Sequence, residues 1–305
     1  MKKTSITIGI PAYNEEGNIV HLLESIYRQR GRHFSIWEVL VISDGSTDKT
    51  EELVQVFAKK HKKVKLIADG VRTGKSERLN TLYRKARGEF ILSLDADVVL
   101  KKPDTIEQLL KKVKLSTTVV GARFIPVPQK TFMGKLSVIS YTSFEDAFMK
   151  LKNGRNIYSL VGGAQLIRTS FARKITYPKK TISDQNYLYA RAIQGNARGY
   201  AFARTAEVWT RTVSTFHDWR VLGVRSTIED KKSLRKSMGD EIMKEYYMPR
   251  NIFAKSLIKF FFKHPILTVG SVIMNIYIRK FPYNASKPKN GKWELTLSSK
   301  IGILM

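Results

Sequence analysis

The sequence contains no cysteine in its 305 residues. This absence excludes disulfides, thiolate metal sites and cysteine nucleophiles, although it does not identify a cellular compartment. No signal peptide is expected either, because the apolar stretch after Lys3 stops at Pro11 and is too short for a signal h-region. We therefore expect the bulk of the chain to stay in the cytoplasm. No internal repeat or long low-complexity tract is evident.

Acidic residues are few. The chain has 26 Asp and Glu against 54 Lys and Arg, which gives a formal charge of +28. Such a balance points to a polyanionic partner, and nucleic acid, an anionic membrane surface and a phosphorylated substrate are the three candidates. Charge alone does not choose between them. The hydrophobic fraction of 43% supplies a substantial core, and the length suits one large α/β domain with an appendage, or two domains.

A glycine is missing from the one segment that looks like a phosphate-binding P-loop. Gly74-Lys75-Ser76 matches the end of that motif, but the motif also needs a glycine five positions before Gly74, where this chain has Asp69. The sequence therefore argues against a P-loop NTPase. Lys75, at a helix start near carboxylates, remains a candidate partner for a diphosphate.

Apolar segments alternate with helical periodicity in the first third of the chain. We predict strands at 5–10, 39–42, 64–68 and 90–94, separated by helices. Such alternation predicts a mostly parallel sheet with right-handed crossovers, and hence an α/β fold. Ligands of such sheets bind beyond the carboxyl ends of the strands.

Polar loops follow all four predicted strands. Each loop alone suits a solvated turn or a helix start, and Ser46 or Thr47 is expected to cap the second helix. Their coincidence at one sheet edge favours a binding site. The charged side chains brought to this edge are Glu15, Asp44, Lys75, Asp95 and Asp97.

The segment Asp95-Ala96-Asp97 ends the fourth predicted strand. If the strand persists, the two carboxylates share a face, because residues i and i+2 of a strand point the same way. Clustered carboxylates repel each other, and a divalent cation would offset that repulsion. The alternative is a strand end solvated by two turn-forming acids.

Four motifs together resemble the family 2 inverting glycosyltransferases of GT-A fold, over about residues 4 to 225. They are Pro11-Ala12-Tyr13-Asn14-Glu15, Asp44-Gly45-Ser46-Thr47-Asp48, Gly74-Lys75 through Asn80, and Asp95-Ala96-Asp97. The resemblance implies a Rossmann-like, mostly parallel sheet flanked by helices. It also implies a hexosyltransferase of cell-envelope glycan biosynthesis.

The same resemblance implies roles for the motif residues. Pro11, Ala12, Tyr13, Asn14 and Glu15, together with Asp44, would hold the nucleoside of a UDP- or GDP-sugar. Lys75 would lie near the donor, and Asp95 near the ribose and the metal. Asp97 would bind a Mg²⁺ or Mn²⁺ that bridges the donor diphosphate.

The second half of the chain is expected to hold the acceptor. The predicted strand 160–168 carries the small residues Gly162, Gly163 and Ala164, which the resemblance places facing the acceptor. Family members usually carry Glu-Asp before the next helix, the Asp being the general base, so Asp184 inherits that role although Ser183 replaces the first acid. The alternative is that Ser183 or Asp184 simply caps the helix.

Processive members of the family carry Gln-x-x-Arg-Trp near residue 225, and this chain lacks the Gln and the Trp. We therefore predict a non-processive enzyme that moves a single sugar. Arg220 and Arg225 are candidate contacts to a diphosphate or a phosphorylated acceptor, with solvation as the alternative.

Two apolar helices are predicted near the carboxyl terminus. Residues 252–262 combine Ile, Leu and Phe with lysines at four-residue spacing, and 265–278 contain no charge. A 14-residue helix reaches about 21 Å, short of the roughly 30 Å hydrocarbon core. An in-plane or shallow anchor on an anionic cytoplasmic leaflet fits better than a full span, and a helical hairpin packed on the catalytic domain is the alternative.

We thus predict a metal-dependent glycosyltransferase, peripheral or monotopic at the cytoplasmic face of the cell membrane. The regions are a nucleotide-sugar-binding half (1–125), an acceptor-binding half (126–250), membrane-associating helices (251–283) and a basic tail (284–305). An acidic residue at the base position slightly favours a lipid-linked saccharide as acceptor over a polyprenyl phosphate. A basic nucleic-acid-binding protein is disfavoured because the cleft loops are acidic, and an inactive transferase scaffold is the other alternative.

Overall fold

The computed structural model describes residues 3–179, 181, 183–282, 296–300 and 302, so most of the predicted basic tail lies outside the described residues. The strands are β1 (Thr4–Ala12), β2 (Phe34–Ser43), β3 (Val64–Ile67), β4 (Phe90–Leu94), β5 (Val98–Leu100), β6 (Val119–Pro126), β7 (Ala164–Arg168) and β8 (Tyr200–Thr210). The helices of the first half are α1 (Ile19–Tyr27), α2 (Thr50–Lys60), α3 (Lys75–Lys85) and α4 (Thr105–Leu110). Those of the second half are α5 (Phe132–Lys150), α6 (Thr169–Ala172), α7 (Asp184–Ile193), α8 (Phe216–Val224), α9 (Asp230–Met238), α10 (Arg250–Lys263) and α11 (Pro265–Lys280).

The strands form an eight-stranded sheet in the order β3-β2-β1-β4-β7-β6-β8-β5. The first four strands of this order are parallel, as predicted. Beyond them, β7 runs antiparallel to β4 and β6, β8 is parallel to β6, and β5 is antiparallel to β8. The α/β prediction is confirmed, and the carboxyl ends of β1, β2 and β4 share one edge.

Helix α3 packs closely on β1 because residue 9 is a glycine. A Cβ atom at Gly9 would lie 2.2 Å from Leu82 Cδ2, so the helix approaches the strand backbone itself. Leu82 is fully buried there, and burial of such a side chain contributes roughly 1.5–3 kcal/mol. This packing fixes α3, and with it Lys75 as the first helical residue at the sheet edge.

Several predicted boundaries were wrong near the sheet edge. Pro11 and Ala12 belong to β1 rather than to the loop after it. Helix α2 begins at Thr50 with Lys49 as its N-cap, so neither Ser46 nor Thr47 caps it. These two hydroxyl residues bond to the neighbouring loop instead, as described below.

The glycine pair lies outside the predicted strand 160–168, and the fourth strand does not persist through the acid pair. Gly162 and Gly163 precede β7, which begins at Ala164. Strand β4 ends at Leu94, and Asp95 and Asp97 occupy the tight turn between β4 and β5. The turn arises because β5, a three-residue strand that the sequence analysis missed, pairs with β8 instead of extending β4.

Helices α10 and α11 form a pair that packs on α5. Their buried residues are mostly small and polar: Ser256, Thr268, Ser271 and Ile278. Their exposed residues combine basic side chains such as Lys255 and Lys263 with large apolar ones: Ile258, Phe261, Phe262, Ile266, Val269, Ile273, Ile276 and Tyr277. The two predicted helices are confirmed, and one face of the pair packs on the domain. Among the described residues, no helix combines the length and hydrophobicity that a membrane crossing needs.

Candidate active site

The loops after β1 and β2 are joined to each other by hydrogen bonds. Asn14 Oδ1 accepts a hydrogen bond from Thr47 N at 2.8 Å, and Asn14 N donates to Ser46 Oγ at 3.2 Å. Glu15 N donates to Thr50 Oγ1 at 2.8 Å. Asn14 has a φ of 52°, a left-handed conformation that asparagine adopts more readily than most residues. These contacts fix the segment 13–18, which we call the nucleoside-binding loop after the role that the sequence analysis predicts for it.

Asp44 is buried and holds the loop that precedes α3. Its Oδ1 accepts hydrogen bonds from Thr73 N at 2.8 Å and Gly74 N at 2.9 Å. The Arg78 guanidinium donates to the same oxygen at 2.9 Å and also pairs with Asp69 at 2.8 Å. Since Arg78 is 4% exposed, this network orders the polar loop ahead of Lys75.

A flat cationic and aromatic surface lies beside these loops. The Arg72 guanidinium carbon is 3.9 Å from the centre of the Tyr13 ring, a distance typical of a cation–π interaction. Stacked planar groups of this kind present a surface suited to a nucleobase.

Lys75 joins the two predicted carboxylate sites. Its Nζ lies 2.6 Å from Asp95 Oδ1 and 3.1 Å from Asp184 Oδ2. Burial opposes the charge on Lys75, but the carboxylates of Asp184 and Asp95 outweigh it and raise its pKa above the usual value. The structure therefore brings the donor-side lysine and the predicted base into one ion-pair cluster.

The turn after β4 carries two carboxylates, and of these Asp95 is paired with Lys75. Burial raises the pKa of Asp95 to about 6; Lys75 opposes the rise, whereas Asp97 and Asp184 add to it. Within the described part of the chain, the Asp97 carboxylate forms neither a hydrogen bond nor a salt bridge. A hard divalent cation suits such an oxygen pair.

The carboxylates would have to share such a cation with a ligand. Among the described residues, no set of three or more carboxylate, imidazole or thiolate groups is placed to hold a metal. Mg²⁺ is commonly bound through one or two carboxylates together with substrate phosphates. Asp95 and Asp97 fit that mode of binding.

Glu15 lies on the same side of the cleft as Asp97. Burial raises the pKa of Glu15 to about 7, the charge of Asp97 adds to the rise, and Lys300 opposes it. Lys300 forms an ion pair with Glu15, and its Nζ also donates to the Tyr13 carbonyl at 3.0 Å. No local pattern in the sequence signals this contact.

The small residues before β7 approach the acid cluster closely. A Cβ atom at Gly162 would lie 3.2 Å from Asp95 Oδ2, and Asp95 N donates to the Gly163 carbonyl at 3.1 Å. Ala164 pairs with Leu94 in the sheet. A larger side chain at position 162 would therefore crowd the Asp95 carboxylate.

The start of α7 combines a helix cap with a buried carboxylate. Ser183 is the N-cap, and its Oγ accepts a hydrogen bond from Asn186 N at 3.3 Å. Asp184 is the first helical residue, is 9% exposed, and meets Lys75. A capping function for Ser183 thus leaves Asp184 directed at the cluster.

The two candidate arginines have different surroundings. Arg225 begins a π-helical turn between α8 and α9, a distortion frequent at functional sites. Burial lowers the pKa of Arg225, and the carboxylates of Asp184, Asp95 and Asp97 oppose this effect. Arg220 lies over the Phe216 ring, 5.7 Å from its centre. The charge of Arg225 therefore interacts with the acid cluster.

Sequence reasoning missed Arg78, Asp69 and Lys300 as parts of the site. Arg78 lies three residues after Lys75 on α3, but nothing local distinguishes it from the other basic residues of this chain. Its role depends on burial against Asp44, which only the folded structure provides.

Comparison with known proteins gives consistent matches. The family model described as glycosyl transferase family 2 matches residues 7–176. A dolichyl-phosphate beta-glucosyltransferase, ALG5C, of Trichomonas vaginalis is 37% identical over 128 residues, which cover 38% of each chain. An undecaprenyl-phosphate 4-deoxy-4-formamido-L-arabinose transferase of Pseudomonas paraeruginosa is 30% identical over 121 residues, covering 38% of this chain and 34% of that one. The matched segments thus span well under half the length of these curated relatives.

A solved structure matches over most of the chain. The mannosyltransferase PcManGT of Pyrobaculum calidifontis, in complex with GDP-Man and Mn²⁺, superimposes with a TM-score of 0.61 and 19% sequence identity. The match covers 91% of this chain and 86% of that one. At this identity the match establishes the shared fold.

Proposed function

This chain belongs to glycosyltransferase family 2 and has the GT-A fold, and we propose that it transfers one sugar, with inversion, from a nucleotide-diphosphate sugar to an acceptor carried by a membrane lipid. The observation that carries the proposal is the Lys75 bridge, with 2.6 Å to Asp95 and 3.1 Å to Asp184. It joins a donor-side group to an acceptor-side carboxylate in one cluster. A transferase needs both substrates to meet at such a point.

The donor is proposed to lie along the edge formed by β1, β2 and β4. The Tyr13–Arg72 stack and the nucleoside-binding loop would receive the nucleoside, and Asp44 orders the neighbouring loop. Asp95 and Asp97 would hold a Mg²⁺ or Mn²⁺ that neutralises charge on the leaving diphosphate. The complex of PcManGT with GDP-Man and Mn²⁺ supports this type of donor and metal.

The acceptor is proposed to be the phosphate of a polyprenyl phosphate. Lys75 and Arg225 place two positive groups beside Asp184, and a phosphate oxygen is attracted to such groups and is already ionised. The names of the two curated relatives, a dolichyl-phosphate and an undecaprenyl-phosphate transferase, support the same class. An acceptor phosphate would attack the anomeric carbon without giving up a proton.

A saccharide hydroxyl on a lipid carrier is the second candidate acceptor. It is favoured by Asp184, a carboxylate at the start of α7 that is directed at the cluster and available to accept the hydroxyl proton. The two acceptors therefore differ in what they require of Asp184.

The test is an assay with purified protein, Mn²⁺ and a panel of UDP- and GDP-hexoses. A short-chain polyprenyl phosphate and a polyprenyl-diphosphate-linked saccharide are offered as separate acceptors. We expect transfer to the polyprenyl phosphate, with the anomeric configuration reversed in the product by NMR. Transfer only to the saccharide supports the second candidate, and no transfer to either contradicts a lipid-linked acceptor.

The same assay with Asp184→Asn separates the two chemistries. A phosphate acceptor predicts that activity falls less than about tenfold, whereas loss of a general base for a hydroxyl costs about 10²–10⁴-fold. The matched control is Asp240→Asn, because the Asp240 side chain is 85% exposed.

Helices α10 and α11 are proposed to attach the enzyme to the cytoplasmic face of an anionic membrane. Phe262, Ile266 and Ile273 are 81%, 74% and 60% exposed, so the pair presents an apolar face to its surroundings. Lys255, Lys263 and other basic residues accompany this face. An apolar face accompanied by basic residues suits an interfacial helix on anionic lipid.

Vesicle sedimentation tests this attachment. Vesicles with 30 mol% (about one-third) phosphatidylserine are expected to bind the protein more tightly than neutral vesicles. The double variant Phe262→Ser/Ile266→Ser is expected to lose most binding. Exposed Leu115→Ser, on the loop after α4, is the control, and equal binding by the double variant would contradict the assignment.

A further inference from the structure

A short segment distant in sequence lies against the nucleoside-binding loop. Residues 296–300 and 302, which we call the strap, include the 3-10 helix Leu297–Ser299. Ser298 within it is 5% exposed. The strap is thus packed into the surface of the domain, and specific contacts hold it on two sides.

On one side the strap is bound by the region that follows β8. Ser298 N donates to Asp218 Oδ2 at 2.7 Å, and Ser298 Oγ accepts from Ser214 N at 3.0 Å. The Arg211 guanidinium donates to the Gly302 carbonyl at 2.8 Å. These bonds connect the strap to the half of the molecule that carries α8.

On the other side Lys300 contacts the nucleoside-binding loop. Its Nζ donates to the Tyr13 carbonyl at 3.0 Å and pairs with Glu15, and its own carbonyl accepts from Asn18 Nδ2 at 3.1 Å. The Lys300 side chain is 18% exposed and that of Glu15 is 7% exposed. A charge-assisted contact that is largely shielded from water is strong and directional.

The contact holds the nucleoside-binding loop next to the acidic side chains of the proposed donor site. Glu15 lies close enough to Asp97 for their charges to interact, and Asp97 is the carboxylate assigned to the diphosphate-bound metal. A loop that is held in place beforehand binds a ligand without the cost of ordering the loop during binding. The strap also lies outside the region 7–176 that the family model matches.

We propose that Lys300 is a positioning residue of the nucleotide-sugar site, which holds Glu15 and the nucleoside-binding loop in the donor-binding conformation. The proposal rests on the proposed function, because it gives Lys300 a part in donor binding. It makes donor affinity depend on a segment that joins both halves of the molecule.

Calorimetric binding of UDP and of GDP, each with Mn²⁺, tests the proposal. Lys300→Met is expected to weaken binding of the nucleotide that the wild type prefers by at least about tenfold, as loss of a shielded charge-assisted contact does. Lys300→Arg is expected to retain most of the affinity. Lys59→Met, which removes one charge from an exposed position on α2, is the matched control. Unchanged or tighter binding by Lys300→Met overturns the proposal.

A second background separates positioning from a general loss of structure. If Lys300 acts through Glu15, adding Lys300→Met to Glu15→Gln weakens binding by no more than about twofold. If Lys300→Met weakens nucleotide binding as much in the Glu15→Gln background as in the wild type, Lys300 does not act through Glu15. Steady-state kinetics should show a raised donor KM with kcat within about twofold of the wild type.

The strap can also be loosened from its other end. Asp218→Asn removes the negative charge of the carboxylate that accepts the hydrogen bond from Ser298 N. Like Lys300→Met, this variant is expected to weaken nucleotide binding, here by about threefold. If both single variants, Asp218→Asn and Lys300→Met, bind the nucleotide as tightly as the wild type, the proposal is overturned. A wild-type protein that binds neither nucleotide refutes the proposed function itself, so the two failures are distinguishable.

Discussion

On the donor side of the cleft, the Asp44 carboxylate is held by two backbone N–H groups and the Arg78 guanidinium, whereas on the acceptor side Asp184 meets its cation across the cleft at Lys75. The Asp44 carboxylate is therefore held by the loop before α3 and by α3 itself. The acceptor side is completed by a residue that the donor side supplies. We therefore expect the contacts around Lys75 to change when substrates bind.

The largest effect is expected from the charge that neither side neutralises. Asp97→Asn should lower kcat/KM by about 10³-fold, because it removes a carboxylate from the diphosphate-bound cation. Activity measured over a Mn²⁺ titration checks this, with Asp240→Asn as the control. Activity within tenfold of the wild type would remove Asp97 from the metal site.

The second prediction concerns the contribution of the Arg78–Asp44 ion pair to the stability of the donor side. Arg78→Met should lower the free energy of unfolding by about 3 kcal/mol, because it leaves buried Asp44 without its cation. Urea unfolding measures this. Arg84→Met lies on the same helix with its side chain 65% exposed and should change stability by less than about 0.5 kcal/mol. Equal effects of the two variants would contradict an ordering role for Arg78.

The link between the two sides is tested by Lys75→Met. We expect kcat/KM to fall by about 10²-fold, because the variant removes an oriented positive charge from the point where the substrates meet. Exposed Lys85→Met on the same helix is the matched control. If Lys75→Met retains full activity, the ion pairs of Lys75 with Asp95 and Asp184 have no part in catalysis.

The smallest effect concerns Asp146 of α5, which anchors the apolar helix pair. Its carboxylate bonds to Lys150, Lys259 and Ser256. Burial alone would raise its pKa, but these bonds lower it to about 2. Because the folded-state pKa lies below the unfolded value of 3.8, the carboxylate contributes stability above about pH 4 and loses it as the pH falls toward 2.

Asp146→Asn should therefore cost about 1–2 kcal/mol at neutral pH. Urea unfolding of both proteins between pH 7 and pH 2 measures the difference, which should shrink below about pH 4. A difference that stays constant with pH would assign the loss to packing rather than to the charge.

Much of the donor side could be predicted from the sequence. The order of strands and loops was correct, because periodicity and turn residues act over a few neighbouring positions. The position of Asp95 and Asp97 was predicted, but not the tight turn that holds them. That turn depends on β5 pairing with β8, which lies far along the chain.

The acceptor side and the helix pair were less predictable. Asp184 was predicted from the family resemblance, and the structure adds its contact with Lys75. The sequence left open whether α10 and α11 form an interfacial anchor or a hairpin packed on the domain. That Ser256 and Ser271 are buried while Phe262 is exposed depends on how the pair packs on α5, which local periodicity does not record.

The sequence by itself determined the α/β succession, the acidic loops at the sheet edge and the two apolar helices, since each depends on residues close together in the chain. The tertiary structure alone decided which charges meet. Lys300 and Glu15 are 285 positions apart, and their ion pair exists only because the strap is bound on both sides. Contacts of that range depend on how the whole chain closes on itself, which no local pattern records.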